Sequence, residues 1–342
     1  MLCFVPVTIA AEWFHLSPLW IFGLASLAII PLAKFIGEAT EELSAHTGPG
    51  LGGLLNATFG NATELIIGIL ALKAGLVEVV KASITGSILG NLLLVLGSAM
   101  FFGGLKRKKQ TFTATTAKAT GTTLLLAVIA LVMPAIFIQT TSPASGLLIE
   151  DLSVAVSIIM IVMYIGNLVF SLVTHKHLYI QDVGSLAPPN WSVKKSIGIL
   201  LAATLAVSWM SEILVGAIEP LVTRFGWTEL FIGTIFVAII GNAAEHASAI
   251  TVAIKNKMDL SIQVSMGSAT QIVMLVAPIL VLSSLFFPTQ MSLVFNPFEL
   301  AAIILTVFIV NSVIEDGESN WLEGLQLLIA YFIIGIAFYF HS

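Results

Sequence analysis

The 342-residue chain has one cysteine, Cys3. With no second cysteine there is no internal disulfide, and a thiolate site for zinc or an iron–sulfur cluster is excluded. Charge is equally scarce. Asp, Glu, Lys and Arg make up 10% of the residues, where soluble domains hold about 25%. That shortage excludes a soluble enzyme, a disordered chain and a nucleic-acid binder. The net charge of −5 is too weak to point to a partner. The six histidines show no metal-ligand spacing, which argues against a metal-dependent hydrolase. Segments that alternate apolar and polar residues are also lacking, so a membrane β-barrel is ruled out.

What the sequence has instead is apolar length. Hydrophobic residues reach 58% and mean hydropathy is +1.03. Stretches of about 20 apolar residues between polar breaks read as membrane spans. They fall at 18–36, 51–72, 83–104, 120–139, 151–174, 196–218, 228–253, 260–287, 297–314 and 322–340. The short apolar piece 1–17 holds Glu12 and His15 and reads as a poorly anchored extra span rather than a signal peptide, since no basic residue precedes it. Backbone polar groups in lipid must be satisfied within each segment, so the expected fold is all-α and polytopic.

Basic residues divide unevenly between the two sides. Lys34, Lys106, Arg107, Lys108, Lys109, Lys118, Lys176, Lys194, Lys195, Lys255 and Lys257 share one, and Lys73, Lys81 and Arg224 the other. The rule that basic loops stay inside places the first group, and the N-terminus, in the cytoplasm. The basic run 106–109 reads as a topology anchor, with anionic-lipid binding as the alternative. The loop 175–195, with Pro188, Pro189 and Asn190, reads as a cytoplasmic linker between 18–174 and 196–342.

Those two segments are related. GNATEL at 60–65 recurs as GNAAEH at 241–246, and the same offset carries Gly86-Ser87 onto Gly267-Ser268. Each unit holds five spans. An odd number inserts the second copy upside down, which is the inverted-repeat plan with a site near the midplane.

The repeated anchors place Glu64 and Glu245 deep in apolar spans, where a carboxylate costs at least ~2.5 kcal/mol. No Lys or Arg neighbours either of them in sequence. Asn61 and Asn242 lie one helical turn before them. Gly60 and Gly241 allow a close approach, or a helix break that frees carbonyl oxygens. Ser87, Ser268 and Gln271 add further oxygens from neighbouring spans. An all-oxygen set suits Ca²⁺ above all, Mn²⁺ next and Mg²⁺ less well. Two ionised glutamates carry −2, which one Ca²⁺ or two protons neutralise. The empty doubly ionised site is costly in a low dielectric, so the expected behaviour is obligatory exchange. His246 points about 100° away from Glu245 and reads either as a packing histidine or as a proton relay. Glu41 and Glu212, near span ends, read as interfacial carboxylates or proton entry points. Asp316, Glu318 and Glu323 read as solvated.

These residues resemble a known family. LLNATFGNATELIIGILALKAG (54–75) with SITGSILGNLLLVLG (83–97), and the long run from Glu229 to Leu282 containing GNAAEH and GSATQ, resemble the two signatures of the calcium/proton antiporter (CAX) family of the cation/calcium exchanger superfamily. DGESNWLEG at 316–324 looks bacterial in type. The resemblance implies eleven helices: residues 1–17, then two inverted five-helix repeats. It implies Ca²⁺ as the transported ion, exchanged for H⁺ at Glu64 and Glu245. Asn61, Asn242, Ser87, Ser268, Gln271 and the carbonyls near Gly60 and Gly241 would line the site. Glu41, Glu212 and His246 would lie along proton paths. The central loop departs from the acidic run of many relatives, holding one acid, Asp182.

The expected protein is therefore a transporter and not an enzyme, with no organic cofactor, in a bacterial plasma membrane. Its partners are Ca²⁺, H⁺ and the lipid bilayer, not nucleic acid, and homo-oligomerisation is left open. A Na⁺-coupled or Mn²⁺-preferring exchanger of the same superfamily is the alternative. A channel is disfavoured by the inverted repeat and the paired midplane acids.

Overall fold

A computed structural model describes residues 1–140, 146–175 and 189–341. Most of the expected central loop, with Asp182 and Pro188, lies outside these residues. The described chain is almost wholly helical. Its one ladder pairs β1 (Gln110–Thr111) with β2 (Glu318–Ser319).

The helices are α1 (Phe4–Trp13), α2 (Pro18–Phe59), α3 (Ala62–Lys73), α4 (Val77–Gly104), α5 (Ala114–Thr140), α6 (Gly146–Val169), α7 (Val193–Gly216), α8 (Ile218–Phe225), α9 (Glu229–Gly241), α10 (Ala243–Ile254), α11 (Met258–Ser284), α12 (Pro297–Val313) and α13 (Trp321–Phe340). Among the described residues, seven helices are long and apolar enough to cross a membrane, and α9 with α10 makes an eighth, bent span. At ~1.5 Å per residue, the 10 residues of α1 fall well short of the ~30 Å hydrocarbon core, so 1–17 is a short helix packed on α2 rather than a full crossing.

The other expected spans all appear as helix, with one difference in kind. The polar stretch 37–50, expected to separate two spans, is itself helical within α2. Ser44 Oγ nevertheless donates to Gly52 O at 2.9 Å. Eight residues of straight helix would hold these groups ~12 Å apart, so α2 doubles back on itself here. A Cβ on Gly52 would sit 2.8 Å from Ser44 Cβ, which is why the turn needs glycine.

The sequence repeat is also a repeat of structure. The offset separating Gly60 from Gly241 carries α3 onto α10 and the start of α4 onto the start of α11. It carries the π-helical turn Gly90–Val95 in α4 onto Ile272–Val276 in α11. It even carries Gly75 (φ 80°) onto Asn256 (φ 62°), the left-handed residue that ends each broken span.

Burial sorts the helices. The apolar window of α4 is 83% buried and that of α11 72%, against 17% for the span through α6. So α4 and α11 form the centre. The first limb of α2 packs on α7 through Ala25, Ala28, Ile29, Leu32 and Ile36 against Ala203, Val207, Met210 and Leu214. Their spacing of three and four residues is one helical stripe. Opposite faces, such as Leu201, Leu205 and Trp209 on α7, stay exposed, as lipid contact requires.

The halves interlock. α3 rests on the last turns of α11, and α10 on the last turns of α4. α9 crosses α4 closely, since a Cβ on Gly233 would lie 2.6 Å from both Ala82 Cβ and Val79 O, and one on Gly86 would overlap the Thr234 carbonyl. Small residues let the backbones meet, a usual means of helix association in lipid. A Cβ on the repeat-related Gly267 would meet nothing within 4 Å among the described residues. An aromatic cluster holds α9 from behind. Trp227 stacks on Phe236 at 5.3 Å, Phe231 meets Phe236 edge-on at 5.6 Å and Tyr339 at 5.2 Å, and Phe22 meets Phe236 at 6.0 Å.

Candidate functional site

Both broken spans break at the asparagine that the sequence singles out. Asn61 (φ −103°, ψ 22°) separates α2 from α3, and Asn242 (φ −95°, ψ 13°) separates α9 from α10. The second break bends the span by 61°. Asparagine suits such a position because its side chain competes for local backbone groups. Asn242 does this directly, as its Nδ2 donates to Ala238 O at 2.9 Å. Two residues beyond each helix start stand Glu64 and Glu245, in the first turns of α3 and α10. The free N–H groups and positive dipole end of a helix favour a carboxylate there.

The breaks face each other across α4 and α11. Asn242 Nδ2 also donates to Ser87 Oγ at 2.8 Å. Ala238 O can only accept, so the NH₂ group of Asn242 is fixed and its Oδ1 faces the opposite way. That oxygen accepts from Asn91 Nδ2 at 2.9 Å and from Ser268 Oγ at 3.4 Å. Asn91 Nδ2 donates to Ser268 Oγ as well, at 3.0 Å. In the other half, Asn61 Nδ2 donates to Gln271 Oε1. Asn242, Ser87 and Ser268 thus share one network with Asn91, and Asn61 and Gln271 form a separate bond between the two halves.

Glu64 lies against Gly241, where a Cβ would stand 3.0 Å from Glu64 Cγ. The absent side chain makes room for the carboxyl group of the other half, a role for Gly241 beyond backbone approach. A Cβ on Gly60 would instead press on Asn56 of its own helix, 2.6 Å from the Asn56 carbonyl oxygen. Glu64 also lines a small cavity with Ser83, Ser87, Val237 and Ile272. Both carboxylate oxygens of Glu64, and Oε2 of Glu245, are buried without a hydrogen-bond donor among the described residues. The two glutamates are near enough to act on one another electrostatically. Unpartnered buried carboxylate oxygens are costly unless a cation or a proton compensates them. Among the described residues no three His, Cys, Asp or Glu side chains converge, so any ion held here takes two carboxylates plus amide, hydroxyl or carbonyl oxygens. That donor set fits a hard divalent cation.

The remaining expected residues are placed differently. His246 Nε2 is buried without a partner among the described residues and lies 3.9 Å from where a Cβ on Gly90 would be. It therefore abuts the π-helical turn of α4. Glu41 and Glu212 are exposed on α2 and α7, and no hydrogen bond joins them to Glu64 or Glu245 among the described residues. Glu318 pairs with Lys109, and Glu323 closes the cap of α13 with Asn320, so neither is simply solvated as the sequence reading had it.

Asn91 escaped the sequence reading. It is fully buried, it touches two expected site residues, and its Oδ1 has no partner. The repeat does not reveal it, because the same offset places Ile272 opposite. Its signal was an uncompensated amide within the apolar run GNLLLVLG.

The chain matches the family described as sodium/calcium exchanger protein over residues 17–173 and 195–340. It is 48% identical to a Ca(2+)/H(+) antiporter of Synechocystis sp., covering 100% of this chain and 96% of the relative. It is 48% identical to the Ca(2+)/H(+) antiporter ChaA of Bacillus subtilis, covering 98% and 96%. Its fold superposes on the structure of native YfkE with a TM-score of 0.85 at 44% identity, over 98% of this chain and 97% of that one.

Proposed function

The chain belongs to the sodium/calcium exchanger protein family, and from that premise we propose that it exchanges Ca²⁺ for H⁺ across a membrane by alternating access. The observation that carries this reading is the set of three buried carboxylate oxygens on Glu64 and Glu245 without a donor, framed by amides and hydroxyls of both halves. In the proposed cycle Ca²⁺ binds between the two glutamates. Asn61, Asn242, Ser87, Ser268, Gln271 and carbonyls near Gly60 and Gly241 complete its oxygen shell. Two protons replace it, one on each carboxyl group, so the pair crosses the membrane neutral in either load. Because the two groups interact, their proton affinities belong to the pair. His246, Glu41 and Glu212 are assigned to proton delivery, Glu41 and Glu212 because they are carboxylates near the ends of expected spans.

The five-helix halves are read as inverted repeats and the basic loops as cytoplasmic. With residues 1–17 too short to cross, the N-terminus then lies on the side opposite the basic loops, and the membrane is the bacterial plasma membrane. One pH unit supplies about 1.4 kcal/mol per proton. Two protons thus sustain about a hundredfold Ca²⁺ gradient for each pH unit. A third would make exchange electrogenic and draw on about 2.3 kcal/mol per 100 mV.

The test is Ca²⁺ movement into vesicles containing the purified chain, with an imposed pH gradient and no Na⁺. Movement that follows the pH gradient is expected. Movement that waits for a Na⁺ gradient overturns the proton-coupled reading, and stronger inhibition by Mn²⁺ than by Sr²⁺ identifies a Mn²⁺-preferring site.

Asn91 supplies a further expectation. Asn91→Leu removes the donor to Asn242 Oδ1 and to Ser268 Oγ while keeping side-chain volume. Loss of one such hydrogen bond costs about 1–3 kcal/mol. The apparent Ca²⁺ affinity should fall about tenfold with the maximal rate less affected, as read from the Ca²⁺ dependence of vesicle flux. An unchanged affinity removes Asn91 from the site.

A further inference from the structure

We infer that the chain carries a built binding site for an anionic phospholipid, where the loop after α4 meets the turn between α10 and α11. The sequence separates these basic stretches by about 150 residues, and the structure ties them together. Arg107 donates to Gly103 O at 2.8 Å and to Ile254 O at 3.0 Å. Gln110 Nε2, on a buried side chain, donates to Ala253 O at 2.9 Å and Asn256 Oδ1 at 3.2 Å. These bonds cap the last turn of α10 and fix the loop against it.

The consequence is a concentration of uncommitted charge. Lys106, Lys108, Lys255 and Lys257 are all exposed on this joint and enter no ion pair among the described residues. Three of the neighbouring acids are held by bonds of their own, and Glu315 is exposed. Glu318 pairs with Lys109, Asp316 Oδ1 accepts from the Glu318 amide, and Asp259 Oδ1 accepts from the Thr113 amide. A topology signal alone needs only charge on the correct side of the membrane. It does not need two basic loops fastened to one another.

Apolar surface borders the same joint. Phe102, Leu105 and Ile254 are 47%, 54% and 50% exposed. Each stands within four residues of one of the lysines. An anionic headgroup at the lysines with an acyl chain along Phe102, Leu105 and Ile254 satisfies both parts of the surface at once. A soluble anion satisfies only the first. The bound lipid would bridge the end of α4 to the end of α10, which carries Glu245, and so join the two halves.

The test is native mass spectrometry of the full-length purified protein, offered phosphatidylglycerol and phosphatidylcholine of equal chain length. It requires neither Ca²⁺ nor a pH gradient, so its outcome is independent of the exchange reading. The wild type should retain phosphatidylglycerol selectively, and excess inorganic phosphate should not displace it. The K106Q/K108Q/K255Q/K257Q variant should lose the selectivity, at about fivefold per lysine, while the four-arginine counterpart keeps it. If the quadruple glutamine variant does not insert, K106Q/K108Q and K255Q/K257Q should each weaken retention separately. Equal retention of both lipids, or undiminished selectivity in the glutamine variants, overturns the site.

Discussion

Glu64→Gln and Glu245→Gln should each lower Ca²⁺/H⁺ exchange at least a hundredfold while leaving the protein folded in the membrane. Glutamine keeps the volume and one oxygen but removes a charge. A divalent cation beside a single carboxylate is left with net positive charge in a low-dielectric site. Removing one partner from a buried charge pair costs about 3–5 kcal/mol, which is the expected loss in Ca²⁺ binding. The proton leg fails as well, because an amide cannot carry the proton back. Stability should not suffer in the same way. The oxygens replaced are the ones that lack donors in the folded protein, so the neutral amide removes a buried charge with no compensating bond. Vesicle flux and thermal unfolding of the same preparations read the two effects separately. The double variant should be no worse than either single one, since the pair acts as a unit. Near-normal exchange in either single variant would end the two-glutamate mechanism.

The second large effect concerns two glycines that the repeat makes equivalent and the structure makes unlike. Gly86 presses on the Thr234 carbonyl, whereas Gly267 faces nothing within 4 Å. Gly86→Ala must push α9 from α4. Overpacking against backbone costs about 1–3 kcal/mol or more, so a lowered unfolding temperature is expected. Gly267→Ala should leave that temperature unchanged. Alternating access by inverted halves requires them to exchange arrangements. Residue 267 then closes on the chain near Gly53, as Gly86 now closes on Thr234. Gly267→Ala should therefore slow exchange about tenfold in spite of normal stability, the barrier rising by the ~1.4 kcal/mol within that overpacking range. A Gly267→Ala protein with full turnover would show that the halves do not trade contacts in this way.

Most of this arrangement could be read from the residues because lipid permits few alternatives. Long apolar runs had to be helices, and the doubled GNAxE pattern located both breaks. The bond from Asn242 to Ser87 could not be read that way, since the repeat-equivalent Asn61 donates to Gln271 and not to Ser268. The polar stretch 37–50 was harder. Polar residues signal a loop in most contexts, yet here they form a helical turn that only the Ser44–Gly52 contact reveals as a reversal. Residues 1–17 are apolar enough for a span, but the helix within them ends at Trp13, before it is long enough. Asn91 was hidden for the opposite reason. Reading by symmetry finds what occurs twice, and Asn91 occurs once.

The aromatic cluster behind α9 also occurs once. Trp227, Phe231 and Phe236 correspond by the repeat to His46, Gly50 and Leu55, which cannot stack as they do. Each aromatic pair is worth about 0.5–1.5 kcal/mol beyond its burial. In a cycle whose other end state opens this cluster, the expected result is two end states unequal in free energy, with the conformer closed at α9 the more populated. A bias of only about 1.4 kcal/mol gives a ratio of ten to one. Such a bias has no say in which way Ca²⁺ moves, because the ion gradients alone fix that. It decides which half-cycle is slow, and thus which face of the membrane a saturated exchanger spends most of its time addressing.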